Sequence, residues 1–162
     1  MARIRAAEGW KILLARHGVA AVLPPGGIVR GVPEEAVLTV GDFVRCGRVL
    51  FALLPVRRVS ITDAGRRIRQ LAACPHLAQV AELTLKGTGM TDEAVAALAG
   101  SPHVAGLRRL DLRDNPFRSA GARSLIGSHR LSGGLELLID VRPFAYELRR
   151  RLRQRFDLAK ER

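Results

Sequence analysis

Leucine, valine and isoleucine recur along the middle of this chain at one spacing, and that spacing predicts its elements. Val80-x-x-Leu83-x-Leu85 returns 27 residues later as Leu107-x-x-Leu110-x-Leu112. Ser101-Pro102-His103-Val104 repeats Cys74-Pro75-His76-Leu77, and Leu71, Leu98 and Leu125 stand at the same interval. Several independent markers sharing one period predict a solenoid, in which each unit buries its apolar face only by stacking on a neighbour. Within a unit, alternating apolar positions predict a strand, and apolar positions three or four apart predict a helix. The expectation is a right-handed α/β solenoid with parallel strands on a concave face and helices on the convex side. Strands should lie near 57–61, 81–85, 108–112 and 136–140, and helices should centre on 68–72, 93–99 and 120–126. The first unit opens at Val56-x-x-Val59-x-Ile61 and is three residues short before Leu71. For the fourth strand two registers compete, one turning Leu137 and Ile139 inward, the other Leu135 and Leu138.

The flanks carry their own patterns. From Ala6 to His17, Trp10, Leu13 and Leu14 predict a short amphipathic helix that stops at Gly18. Pro24-Pro25-Gly26-Gly27 reads as a turn, followed by two β-prone runs, Ile28–Val32 and Ala36–Val40, separated by Pro33-Glu34-Glu35. Asp42 is the expected N-cap of a helix burying Phe43, Cys46, Val49, Leu50 and Leu53 and ending at Pro55. Thr91 should cap the helix of the second unit, where Asp92 and Glu93 suit the positive helix end, and Ser119 should cap the third. Beyond Pro143, Phe144, Leu148, Leu152 and Phe156 recur every four residues as the stripe of a last helix. Arg149, Arg150, Arg151, Arg153 and Arg155 occupy its other faces. The chain thus divides into an N-terminal cap (1–55), repeats (56–141, three clear and a fourth weaker) and a basic C-terminal capping helix (142–162).

Leu107-Arg-Arg-Leu110-Asp-Leu112-Arg-Asp-Asn115-Pro-Phe117, with Gly121 and Leu125 after it, resembles the leucine-rich repeat pattern in its long, ribonuclease-inhibitor-like form. The resemblance implies that Leu107, Leu110, Leu112 and Phe117 point into the layer. It also implies that Asn115 bonds the backbone as the chain leaves the strand and that Gly121 lets helix and strand approach. Residues 28–156 more widely resemble bacterial leucine-rich repeat proteins that carry a repeat-companion segment. The shared features are Gly31-Val32, the Phe43-to-Pro55 helix, the Pro-His-Leu turn and Leu152-Arg-Gln-Arg-Phe156. Only the third unit has the turn Asn; Thr88 stands in its place in the second. The acidic, Trp-containing N-terminal block of that family is reduced here to Trp10. The resemblance implies a binding role.

At 162 residues the chain has the length of one domain and can bury about two-thirds of its unfolded surface. Its 27 Lys and Arg against 15 Asp and Glu give a net charge of +12, mostly from arginine, which favours polyanionic partners but also follows from an Arg-, Ala- and Gly-rich composition. Cys46 and Cys74 form no disulfide framework or zinc spacing, and Cys74 sits where the next unit has Ser101, a position asking for a small residue. Apolar runs fall far short of the ~20 residues of a membrane span, and Lys11 and Arg16 interrupt any secretory core. The expected compartment is the cytoplasm, with no membrane span.

No P-loop, nucleophile elbow or paired-Cys zinc pattern is present, so no catalytic residue, metal or cofactor is expected. Lys86-Gly87-Thr88-Gly89 belongs to a repeat turn. His76 and His103 align by repetition, with His129 near them, but no carboxylate accompanies them as a metal ligand would. Asp111 and Asp114 have arginine neighbours and read as surface ion pairs. On the exposed strand face, Arg58, Glu82, Arg109 and Glu136 should stand side by side with alternating sign. Ser60, Thr84, Asp111 and Leu138 form the next row, and Thr62, Lys86, Arg113 and Asp140 the third. Arg58, Glu82, Thr84, Lys86, Arg109, Asp111 and Arg113 are therefore the candidate contacts for a protein partner, with the chain as a subunit of a larger complex. The alternative is RNA or another polyanion bound by Arg149, Arg150, Arg151, Arg153 and Arg155. Four strands ~4.8 Å apart span about 19 Å and offer roughly 300 Å², below the ~800 Å² per partner of a standard interface.

Overall fold

A computed structural model of the chain describes residues 2–16, 18 and 21–158. In chain order its elements are α1 (Ala2–Arg16), β1 (Ile28–Val29), β2 (Val32–Pro33), β3 (Glu35–Leu38), α2 (Val40–Leu53), β4 (Arg58–Ile61) and α3 (Ala64–Ala73). Next come β5 (Glu82–Thr84), α4 (Asp92–Ala99), β6 (Arg109–Asp111), α5 (Ser119–Gly127), β7 (Glu136–Leu138), α6 (Tyr146–Arg155) and β8 (Asp157–Leu158). The protein is α/β. Strands β3 to β8 form one six-stranded parallel sheet in strict sequence order, and successive helices α2 to α6 pack beside one another in that same order.

The hydrophobic pattern explains this arrangement directly. Alternation puts Ala36, Val59, Leu83, Leu110, Leu137 and Leu158 in one register row, and Leu38, Ile61, Leu85, Leu112 and Ile139 continue the buried side. The helices meet them with Phe43 and Leu50, Ile68 and Leu71, Val95 and Leu98, Leu125, and Leu148 and Leu152, all buried. Leu110 pairs with Leu83 on one side and Leu137 on the other, which settles the fourth strand in favour of Leu137 and Ile139 facing inward. Leu135 and Leu138 are buried as well.

Turn chemistry repeats with the period. Ser101 Oγ donates to Ala72 O (2.5 Å) and Ser128 Oγ to Ala99 O (2.6 Å), so each serine satisfies a carbonyl at the end of the preceding unit's helix. Cys74, the counterpart one unit earlier, is buried and unpaired, as a position requiring a small side chain allows. Asn115 Nδ2 donates to the carbonyls of Leu85 (2.8 Å), Leu112 (2.9 Å) and Arg113 (3.1 Å), and its Oδ1 accepts from Met90 N (2.9 Å). Thr88 makes one bond of this kind, from Oγ1 to Leu85 O.

Several local expectations are corrected. The N-cap of α2 is Thr39, whose Oγ1 accepts from Asp42 N (3.1 Å); Asp42 lies inside the first turn. Ser119 does not cap α5, which begins after Arg118. Its free N–H groups are instead served by Asp92 of α4, whose Oδ1 accepts from Arg118 N and Gly121 N at 2.7 Å each. A side chain one unit away thus replaces a local cap, a substitution visible only once α4 and α5 lie together. Gly121 accordingly permits helix–helix contact rather than helix–strand contact: a Cβ there would stand 2.8 Å from that same Asp92 oxygen. The run Ile28–Val32 is a hairpin, not one strand, because Arg30 (φ 50) and Gly31 (φ 84) turn the chain between β1 and β2. The helix expected over 6–17 starts at Ala2, and His17 lies outside the described residues. Thr91 caps α4 as expected, accepting from Ala94 N.

The two flanks enter the same sheet as the repeats. β3 pairs in parallel with β4, and its outer edge is closed by an antiparallel bridge between Val22 and Val37. At the far end, α6 starts at Tyr146, two residues later than Phe144 suggested, and leads into β8. Among the described residues, no helix is long and apolar enough to cross a membrane.

Candidate interaction surface

Parallel register stacks side chains of equal strand position into rows, so the exposed side of the sheet is an ordered surface. Its first row reads Glu35, Arg58, Glu82, Arg109, Glu136 and Asp157. Arg109 donates to both oxygens of Glu136 (2.8 and 2.7 Å), a two-oxygen contact that fixes both side chains. Arg58 Nε lies 3.7 Å from Glu35 Oε2. Lateral pairing of alternating charges therefore holds for two pairs, while Glu82, between Arg58 and Arg109, makes no ion pair among the described residues.

The second row is Val37, Ser60, Thr84, Asp111 and Leu138. Asp111 is only 6% exposed, because the Arg113 guanidinium lies over it with bonds of 2.6, 3.0 and 3.2 Å. That hydrogen bonding holds the Arg113 guanidinium above its ordinary pKa. In the third row, Lys86 Nζ reaches Asp114 Oδ2 at 3.2 Å, and Asp114, at φ 57, donates its N–H to Asp140 Oδ2. Asp111 pairs with an arginine as expected, though buried rather than at the surface, and Asp114 pairs with Lys86 in place of an arginine.

The seven residues expected on this face thus lie together, on the three adjacent strands β4 to β6 and their exits. Glu35 and Asp157 also belong to its first row and were not anticipated. Glu35 sits at the head of an alternating run, Glu35-Ala36-Val37-Leu38, 23 residues before Arg58; that alternation was the available signal. Asp157 had none, since a two-residue strand carries no period.

The five arginines of the terminal helix do not act as one set. Arg155 donates to Ser128 O (3.0 Å) and Leu131 O (2.7 Å) and lies 5.1 Å from the centroid of the Phe156 ring. It pins α6 to the turn after α5, so a uniformly solvated row is ruled out. Arg149 is half-buried, Arg150 approaches Glu147 at 4.0 Å, and Arg151 and Arg153 are exposed. The apolar stripe is as expected: Phe144, Leu148, Leu152 and Phe156 are all buried.

The three histidines stay apart in role. His76 lies against Gly47, where a Cβ would come within 2.8 Å of its ring, and its ring centroid is 6.5 Å from that of Phe51. His103 is half-buried and His129 exposed. Among the described residues no group of three metal-ligating side chains comes together. No protein-family model and no curated protein matches the sequence.

Proposed function

We propose that this chain is a short, right-handed leucine-rich repeat solenoid acting as a non-catalytic protein–protein interaction module. The observation carrying this reading is the 27-residue sequence period, which equals the offset between paired residues on β5, β6 and β7. Each unit adds one strand to a common face, and the Asn115 bond set ties one unit to the next. Six strands ~4.8 Å apart widen that face to about 29 Å, half again the four-strand value. Its polar side chains are mostly held by ion pairs, which lowers the entropy lost when a partner orders them.

A second reading rests on Arg151 and Arg153, which project from α6 without an ion pair among the described residues. It makes the terminal helix a site for RNA or another polyanion.

Affinity capture from native lysate, with and without nuclease, separates the two. Ser60→Arg with Thr84→Arg blocks the centre of the strand face while adding positive charge. The expected result is nuclease-resistant capture that this double variant abolishes and Arg149→Gln/Arg151→Gln/Arg153→Gln leaves intact. Capture that is nuclease-sensitive, survives the double variant and disappears in the triple variant overturns the interaction-module reading.

A further inference from the structure

A separate feature lies along the edge where the strands begin. One residue before the first charged row, the register aligns Glu34, Arg57, Ala81, Arg108 and Leu135. A cavity of about 530 Å³ opens there, with Arg57 and Arg108 on its wall. Ala78, Ala81 and Gly106 line it, small residues that leave open the space a larger side chain would fill. The volume falls within the ~300–1,000 Å³ of small-ligand sites.

Both arginines have fixed backbones and uncommitted side chains. Arg57 N donates to Glu34 O (2.9 Å) and Arg108 N to Ala81 O (2.7 Å). Neither guanidinium forms an ion pair or hydrogen bond among the described residues, and Glu34, next to Arg57 in the row, does not pair with it. Two strand spacings of ~4.8 Å put the two Cα atoms about 10 Å apart, so two arginine side chains can converge on one group between them. Their planar forks match phosphate oxygens. Glu82 lines the same cavity, also without an ion pair. Its carboxylate repels a ligand that is anionic throughout and accepts a hydrogen bond from a donor next to the anion.

We propose that this cavity binds a phosphate monoester whose carrier presents an O–H or N–H donor beside the phosphate. Arg57 and Arg108 clamp the dianion, and Glu82 accepts from the carrier. Such a group comes either as a free metabolite or on a phosphorylated side chain, and neither source depends on the interaction-module reading.

The test is an amide NMR titration of the full chain at constant ionic strength with inorganic phosphate, glycerol 3-phosphate and a capped phosphoserine. Both esters are expected to shift the Ala81 and Gly106 amides saturably and more tightly than inorganic phosphate, and the tighter ester identifies the source. Arg57→Gln and Arg108→Gln should each weaken binding about tenfold or more, whereas Arg66→Gln with Arg69→Gln, which removes more charge from exposed positions on α3, should leave it unchanged. Glu82→Gln should strengthen inorganic phosphate binding and shrink the preference for the esters. Absence of saturable shifts at Ala81 and Gly106, equal weakening by the α3 pair, or an ester preference untouched by Glu82→Gln would overturn the proposal.

Discussion

Replacing Asn115 with alanine tests how successive units are joined. The side chain bridges two units, because Leu85 and Met90 belong to one and Leu112 and Arg113 to the next. Its amide has two hydrogens for three carbonyl acceptors, so with the Met90 contact it supplies about three effective bonds. At a net ~0.5–1.5 kcal/mol each, in a half-buried turn where water replaces some of the lost partners, the change should cost about 2–4 kcal/mol. That is a large part of a total stability of ~5–15 kcal/mol. With an m-value near ~2 kcal/mol/M, the urea midpoint should fall by about 1–2 M at unchanged slope. Asn115→Thr should recover roughly one bond, as Thr88 does in the turn before. Asn115→Asp should be no better than alanine at neutral pH, because it keeps the acceptor for Met90 but sets a second anionic oxygen against three carbonyls. An alanine variant within about 0.3 M of the wild-type midpoint, or an aspartate variant as stable as wild type, would refute this account.

Three further outcomes follow from packing and charge. Leu110 is fully buried between Leu83 and Leu137 in a layer with neighbours on both sides, so Leu110→Ala should lower stability by about 2–5 kcal/mol in the same urea assay. Arg151→Gln/Arg153→Gln, both at exposed positions, should change stability by less than about 0.5 kcal/mol, while Arg155→Gln, which loses two bonds to carbonyls, should cost about 1.5–3 kcal/mol; thermal unfolding giving the reverse order would show that Arg155 does not anchor α6. Glu93 is held below the usual carboxylate range by the hydrogen bond with the Thr91 side chain and then by its own backbone N–H. Its stabilising effect is present above the ordinary glutamate pKa and is lost as pH falls through the lowered value. Glu93→Gln should therefore be less stable than wild type at pH 7, with the gap closing as pH falls below the ordinary glutamate range; a gap that stays constant with pH argues against the Thr91 contact.

Much of the architecture was legible because period and burial are the same fact written twice. Leu83 and Leu110 face the core wherever a strand repeats in register, so their spacing determined the parallel pairing, the order of the strands and the inward rows of the clear units. The fourth strand was decided between its two registers only by the pairing of Leu137 with Leu110. Of the Asn115 bonds, those to Leu112 and Arg113 in its own turn were implied by the leucine-rich repeat resemblance, whereas those to Leu85 and Met90 of the preceding unit needed the stacked structure. The central part of the candidate surface came with the inward rows, because residues between inward leucines must face outward.

What the linear pattern could not carry is anything settled by contact between units. Asp92 caps α5 from a neighbouring helix, and Arg155 reaches back to Ser128 and Leu131; neither pair is close in sequence, and exposed-looking charge gives no hint of its partner. Glu35 and Asp157 join the first row because β3 and β8 add to the sheet edges, where pairing with an existing strand stabilises even the two-residue β8, too short to show a period. The cavity between Arg57 and Arg108 has the same origin, since only stacking brings residues of different units to either side of Ala81. The repeat fixed which side each residue faces, and the packing of one unit on another fixed what it meets there.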